Sequence, residues 1–234
     1  MSSAPVLLVD EPRTPLRALA VVLHGGRSRS TGPVRPTQLA VVRMHPFATA
    51  LRRAGAHSGL GVARLRYTVR GWNDAAQSPV PDVRWALDRL AERFPATPVA
   101  LVGHSMGGRA AVYTGGHESV RAVVGLAPWI EPGDPYEQLA ERDVLFAHGD
   151  VDRMTSPPQS AAYARKAATV AASVSYISIR RERHAMLRRA TLWHQLTTGW
   201  VLAKMCDRAP EETVGGAVAN VVSRALAGEP TVVV

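Results

Sequence analysis

Apolar residues alternate along this chain between two kinds of pattern. Short, nearly continuous runs occupy 5–9 (PVLLV), 16–26 (LRALAVVLHGG), 61–67 (GVARLRY), 98–105 (PVALVGHS), 120–128 (VRAVVGLAP), 143–150 (DVLFAHGD) and 174–179 (VSYISI). Runs this short, rich in Val, Leu and Ile, predict strands covered on both faces of a parallel sheet. Between them the spacing turns helical. Val83, Leu87, Leu90 and Phe94 recur at intervals that share one helix face. Residues 157–169 open on two prolines and continue through alanines, which suits a helix start and interior. Residues 185–205 carry Trp193, Leu196 and Trp200 at helical spacing. Strands alternating with helices predict an α/β fold: a mostly parallel central sheet with helices on both faces.

The C-terminal part reads as an extension over about 209–228. Pro210 followed by two acids marks a helix start, and Val214, Val218, Val221 and Ala225 line one face. Gly215 and Gly216 should weaken such a helix by roughly 1 kcal/mol each relative to alanine. The expectation is that this segment packs on the body, with a homodimer contact as the alternative to a monomer.

Composition narrows the class. A chain of 234 residues, 46% hydrophobic and 20% charged, suits one globular domain (1–234), with its core over about 5–205. No apolar run approaches the roughly 18 residues of a membrane span, and the N-terminus lacks the basic start of a signal peptide, so a cytoplasmic protein without membrane attachment is expected. The single cysteine, Cys206, excludes an internal disulfide and argues against a thiolate metal site. With no histidine pair at ligand spacing and no acidic cluster, neither metal nor cofactor is expected. The G-x-G at 59–61 precedes a strand rather than joining strand to helix, so it is no dinucleotide fingerprint. The net charge of +9 comes almost wholly from arginine, Lys166 and Lys204 being the two lysines. These arginines are scattered rather than gathered with aromatics, which reads as a solvated basic surface and not as a nucleic-acid site.

One stretch carries chemistry. In VALVGHSMGGRAAV, 99–112, a buried strand pattern hands over to a helical one at Ser105. A serine on such a turn stands exposed at the sheet edge, beside the positive end of the following helix. The crowding there demands small residues two positions either side, and Gly103 and Gly107 supply them. Together with HGG at 24–26, HGDVD at 148–152 and a late histidine in RERHAML at 181–187, this motif makes residues 5–205 resemble the α/β-hydrolases.

That resemblance implies acyl transfer by a serine nucleophile, with Ser, Asp and His in that chain order. Ser105 would be the nucleophile. Of eight histidines, His184 follows the last clear strand, where the family places its base, although Arg183 stands where the family often has glycine. His104 neighbours Ser105 but its side chain is expected to point away, and His24 and His148 are expected to have packing roles. Asp152 matches the family's acid, with Asp150 tying the turn and Asp134 as the fallback. The backbone N–H groups of Met106 and Gly26 would form the oxyanion hole. Trp72 and Trp129 follow strands at the carboxyl edge, where ligands bind, and either could wall the pocket or be a buried loop aromatic. The stretch from Trp129 to Glu141 is too short for a helical cap, which suggests a small substrate. Arg27, Arg29 and Arg35 on one loop and Arg180, Arg181 and Arg183 on another would favour an anionic or carrier-linked acyl substrate if they converge on the pocket, and otherwise are solvated. The expected activity is a serine hydrolase of small carboxylic esters. A thioesterase, acyltransferase or cyclase would use the same triad, and a non-catalytic binding protein on this fold would not need all three residues.

Overall fold

The computed structural model describes residues 4–234. Eight strands form one sheet: β1 (Val6–Asp10), β2 (Ala18–Leu23), β3 (Leu60–Arg66), β4 (Val99–His104), β5 (Val120–Leu126), β6 (Asp143–Gly149), β7 (Ser173–Ile179) and β8 (Val232–Val233). Their order is β1-β3-β2-β4-β5-β6-β7-β8. Only β1 runs antiparallel, against β3 with Leu8 opposite Arg64, and every other pair is parallel. The helices are α1 (Leu39–Val42), α2 (His45–Gly55), α3 (Pro79–Arg93), α4 (Met106–Thr114), α5 (Pro157–Ala167), α6 (Ala190–Cys206), α7 (Pro210–Thr213) and α8 (Gly216–Leu226).

The strand β2 shows why the runs are continuous rather than alternating. Ala18, Ala20 and Val22 face a core with Phe47, Leu51, Trp193 and Trp200 of α2 and α6. Leu19, Val21 and Leu23 face a second core with Val83, Leu87 and Leu90 of α3. A strand buried on both faces has no position for a polar residue. The expected mostly parallel sheet with helices on both faces is what the chain forms.

Three details differ from the sequence reading. The strand β8 was not expected: two valines near the C-terminus extend the sheet, Val232 opposite Ile177. The long helix starts at Ala190, not 185, because Ala185–Arg189 turns tightly between the loop carrying His184 and the helix. The terminal helix is broken in two. Val214 is extended (φ −141°, ψ 163°), and Gly215 caps α8, so Gly216 opens a helix rather than weakening one from within. The extension does pack on the body. Ala219, Val221, Val222 and Ala225 are buried, and Gly199 of α6 lets Val214 and Val222 approach, since a Cβ there would lie 3.2 Å and 3.4 Å from their methyls.

The expected active-site residues all follow strands at the carboxyl edge of this sheet, after β2, β3, β4, β5, β6 and β7, with Met106 as the first residue of α4. Among the described residues no helix is long and apolar enough to cross a membrane.

Candidate active site

The turn at Ser105 is as crowded as its sequence implies. Ser105 has φ 55° and ψ −118°, a conformation that non-glycine residues avoid. A Cβ on Gly103 would run into the carbonyl of Gly107, and one on Gly107 would lie 2.6 Å from the carbonyl oxygens of Leu23 and His24. Neither position can carry a side chain. The strain at Ser105 is held by its backbone: its N–H donates to Leu126 O at 3.0 Å, while its carbonyl accepts from Arg109 N and Trp129 N, both at 3.1 Å.

Three side chains from distant parts of the chain meet there. His184 Nε2 lies 3.0 Å from Ser105 Oγ, and His184 Nδ1 lies 2.8 Å from Asp152 Oδ2. An Nδ1–H held by a carboxylate leaves Nε2 bare, so it can accept the serine proton. The Asp152 side chain is fully buried. Its Oδ1 accepts from Met154 N (2.7 Å) and Thr155 N (3.2 Å); its Oδ2 also accepts from Thr155 Oγ1 (2.9 Å) and meets His148 Nε2 at 3.2 Å. Burial alone would raise this carboxyl, but hydrogen bonds from His148, His184 and the Met154 amide outweigh it and hold the group well below the ordinary carboxylate range. Asp150 ties the turn, accepting from Arg181 N at 2.6 Å. Asp134 is engaged elsewhere, by Arg109 and Tyr113.

Several residues around the triad were missed or misread. Thr155 Oγ1 lies 3.1 Å from His184 Nδ1 as well as against Asp152, in reach of both. Glu182 is completely buried two residues before His184. Its carboxylate accepts from Arg183 N, Arg189 N and Trp193 Nε1, which fastens the loop carrying His184 to the start of α6. Neither has a signal in sequence beyond an ordinary loop Thr and an ordinary Glu. His104 does not point away. Its ring lies 4.7 Å from that of His184, and its Nε2 donates to the His184 carbonyl at 3.0 Å. Burial, helped by the neighbouring His184, pushes its pKa down to about 3, so it is a neutral donor. His148 is fully buried, with Nδ1 2.7 Å from Ser160 Oγ, so it braces Asp152 from beneath as well as packing. His24, lowered to about 4 by burial, accepts from Tyr67 N and has the packing role expected of it.

Ser105 opens into a cavity of about 690 Å³, walled with His184 by Gly26, Arg27, Met106, Trp129, Met154 and Thr155. Gly26 has no room for a side chain, because its Cβ would meet Met106 and the Arg70 carbonyl. Met106 opens α4, where backbone N–H groups lack intrahelical acceptors. Trp129 is half-buried and borders the cavity. Trp72 does not: it is 3% exposed and packs behind Trp129, with ring centroids 6.2 Å apart. The basic loops do not converge. Arg27 and Arg29 line the cavity, but Arg29 is paired with Asp74 at 2.8 Å, and Arg35, Arg180, Arg181 and Arg183 lie outside the lining. Residues 129–141 form no helical cap, being loop with one short 3-10 turn at Glu137–Leu139. Among the described residues no cluster of His, Cys, Asp or Glu could hold a metal ion.

Known proteins resemble this chain in sequence only in part. A family described as serine aminopeptidase, S33, matches residues 43–142, a stretch with Ser105 but neither Asp152 nor His184. No curated protein matches the sequence. In structure the likeness runs further. An α/β serine hydrolase homologue from Coxiella burnetii superposes with a TM-score of 0.64 at 16% identity, covering 83% of this chain and 90% of its own. Est1E from Butyrivibrio proteoclasticus, with ferulic acid bound, gives 0.62 at 14% identity, covering 86% and 95%. A lidless α/β serine hydrolase from Xanthomonas campestris gives 0.61 at 17% identity, covering 84% and 88%.

Proposed function

We propose that this chain, an α/β-hydrolase by fold, is a serine hydrolase that cleaves a small carboxylic ester through an acyl-enzyme on Ser105. The observation that carries this reading is the unbroken relay from Ser105 Oγ through the His184 imidazole to the buried Asp152 carboxylate, at 3.0 Å and 2.8 Å. As Oγ attacks the ester carbonyl carbon, His184 Nε2 takes its proton, and the imidazolium that forms is stabilised by Asp152. The tetrahedral oxyanion is stabilised by the N–H groups of Met106 and Gly26, next to the N-terminus of α4. His184 returns the proton to the departing alcohol as the C–O bond breaks. Water then enters, gives its proton to His184, attacks the acyl carbon and releases the acid, with the proton going back to Ser105. The same residues would serve a thioesterase or acyltransferase. A cavity open to solvent, without a helical cap, favours water over a second acyl acceptor and a small substrate over a long lipid. Arg27, which lines the cavity without an ion-pair partner among the described residues, leaves room for an anionic substrate. A carrier-linked acyl group is compatible with the same opening.

The test is covalent labelling with a fluorophosphonate, followed by turnover of p-nitrophenyl esters of increasing acyl length. Labelling should map to Ser105, and kcat/KM should be highest for short acyl chains. Ser105→Ala and His184→Ala should each lose roughly 10⁴-fold or more in kcat, the double mutant little more, and Asp152→Asn less. Absence of both labelling and Ser105-dependent turnover would leave a binding protein on this fold. If Asp134→Asn were the damaging change and Asp152→Asn nearly silent, the acid would be wrongly assigned.

A further inference from the structure

Trp129 is fixed from behind by a buried ion pair that the reaction does not use. The Arg109 guanidinium lies 4.4 Å from the centroid of Trp72 and 4.7 Å from that of Trp129. Its Nη2 and Nε lie 2.6 Å and 3.2 Å from Asp134 Oδ1, which also accepts from Tyr113 OH at 2.7 Å. The Asp134 side chain is 2% exposed and that of Arg109 10%. Asp134 Oδ2 accepts from Glu131 N at 2.9 Å, and Glu131 in turn accepts from Trp129 Nε1. The Trp129 and Arg109 amides both donate to the carbonyl of Ser105. The Trp129 ring is therefore held at its face, at its N–H and at its backbone, in register with the nucleophile.

Burying a charged pair costs more than packing apolar groups in the same space, so a loop that merely closed the fold would not need one. Arg109 does not line the cavity while Trp129 does, so the cavity meets the ring on a side the cation leaves free. A flat ring with no freedom to reorient gives an aromatic partner offset or edge-to-face stacking in addition to buried area, whereas an aliphatic partner gains area alone. Arg27 at the mouth disfavours a cationic substrate, whereas the Arg109 charge is balanced by Asp134.

We infer that Arg109 and Asp134 are positioning residues that hold Trp129 as a rigid aromatic wall, and that this wall selects esters bearing a flat, neutral or anionic aromatic ring. The inference rests on the serine-hydrolase reading above. It is tested with two ester pairs whose rings are insulated from the reacting carbonyl. These are methyl 3-phenylpropionate against methyl 3-cyclohexylpropionate, and benzyl acetate against cyclohexylmethyl acetate, followed by proton release. The parent should favour the phenyl member of at least one pair by about three- to tenfold in kcat/KM. Trp129→Leu should bring that ratio to about one. Arg109→Met and Asp134→Asn should lower it, and should change it no further when combined with Trp129→Leu. Arg109→Lys, which keeps the charge but loses the planar fork, should lower it too and serves if Arg109→Met does not fold. Hydrolysis of both members at equal rates, or a ratio that survives loss of Arg109 and Asp134 in labelled, folded protein, overturns the inference. Failure to hydrolyse either member together with failure to take the fluorophosphonate overturns instead the reading on which it rests.

Discussion

Replacing Glu182 by glutamine should both destabilise the protein and slow it, because one carboxylate holds the loop that presents His184. The side chain is 0% exposed. Its Oε1 accepts from Arg183 N at 2.9 Å, and its Oε2 from Arg189 N at 2.8 Å and Trp193 Nε1 at 3.2 Å. Glutamine keeps one acceptor oxygen and turns the other into a donor. Its better orientation retains the two bonds at Oε2 and sets an NH₂ against the Arg183 amide. One buried donor left unsatisfied costs about 1–3 kcal/mol, and the surviving bonds lose their charge assistance, for a total of roughly 2–4 kcal/mol. In a domain of this size each kcal/mol moves Tm by about 2–4 °C, so a fall of about 4–16 °C is expected. The Glu182 carbonyl is also packed against Gly149, where no Cβ fits, so a shift of this loop moves His184 relative to the strand before Asp152. Misplacing a base by a fraction of an ångström should lower kcat by about 10- to 100-fold with little change in KM. Thermal unfolding by circular dichroism and steady-state turnover of p-nitrophenyl acetate read both effects. A variant melting within about 2 °C of the parent, with its kcat intact, would refute the role given to Glu182.

Two further outcomes follow from the buried histidines and from Arg27. Burial lowers His24 to about 4 and, with help from His184, lowers His104 to about 3, so the folded protein keeps both neutral while the unfolded chain protonates them near 6.5. The unfolded state then binds more protons, and the stability these groups contribute is complete above about pH 6.5 and declines toward pH 4, by up to about 1.4 kcal/mol per pH unit for each histidine. Urea midpoints from pH 7 to 4.5 should fall accordingly, and a flat profile would contradict the burial of both rings. Arg27→Gln should lower kcat/KM for a carboxylated ester by about three- to tenfold relative to a neutral ester of equal size, less so at high salt. Arg29→Gln should do less, since Arg29 already pairs with Asp74; equal small effects on both esters would show that the arginines are only solvated.

Local sequence carries what local physics decides. The run from Val99 to His104, the turn at Ser105 and the glycines at 103 and 107 are neighbours in the chain, and the steric demand that links them acts over a few residues. The alternation of buried runs with helical spacings carries the sheet and its helices for the same reason, because a strand covered on both faces must be apolar throughout. Asp152 and His184 were singled out by their resemblance to the α/β-hydrolase pattern, each following its strand in that chain order, and not through any contact with each other. The strand β8 was not legible: two residues give no periodicity, and only the open edge of β7 makes them a strand.

What surrounds the triad was settled in three dimensions. Arg109 and Asp134 are 25 residues apart, and nothing in either neighbourhood says that they meet between two tryptophans. Trp72 and Trp129 look alike in sequence, each following a strand at the same edge, yet one is enclosed behind Arg109 and the other borders the cavity. Glu182 reads as one more charge in an arginine-rich loop, and His104 as a residue turned from the site, until the amides and the carbonyl that hold them are placed. A polar side chain becomes a buried brace only when partners from other elements satisfy its hydrogen bonds, and those partners are chosen by the packing of the whole sheet.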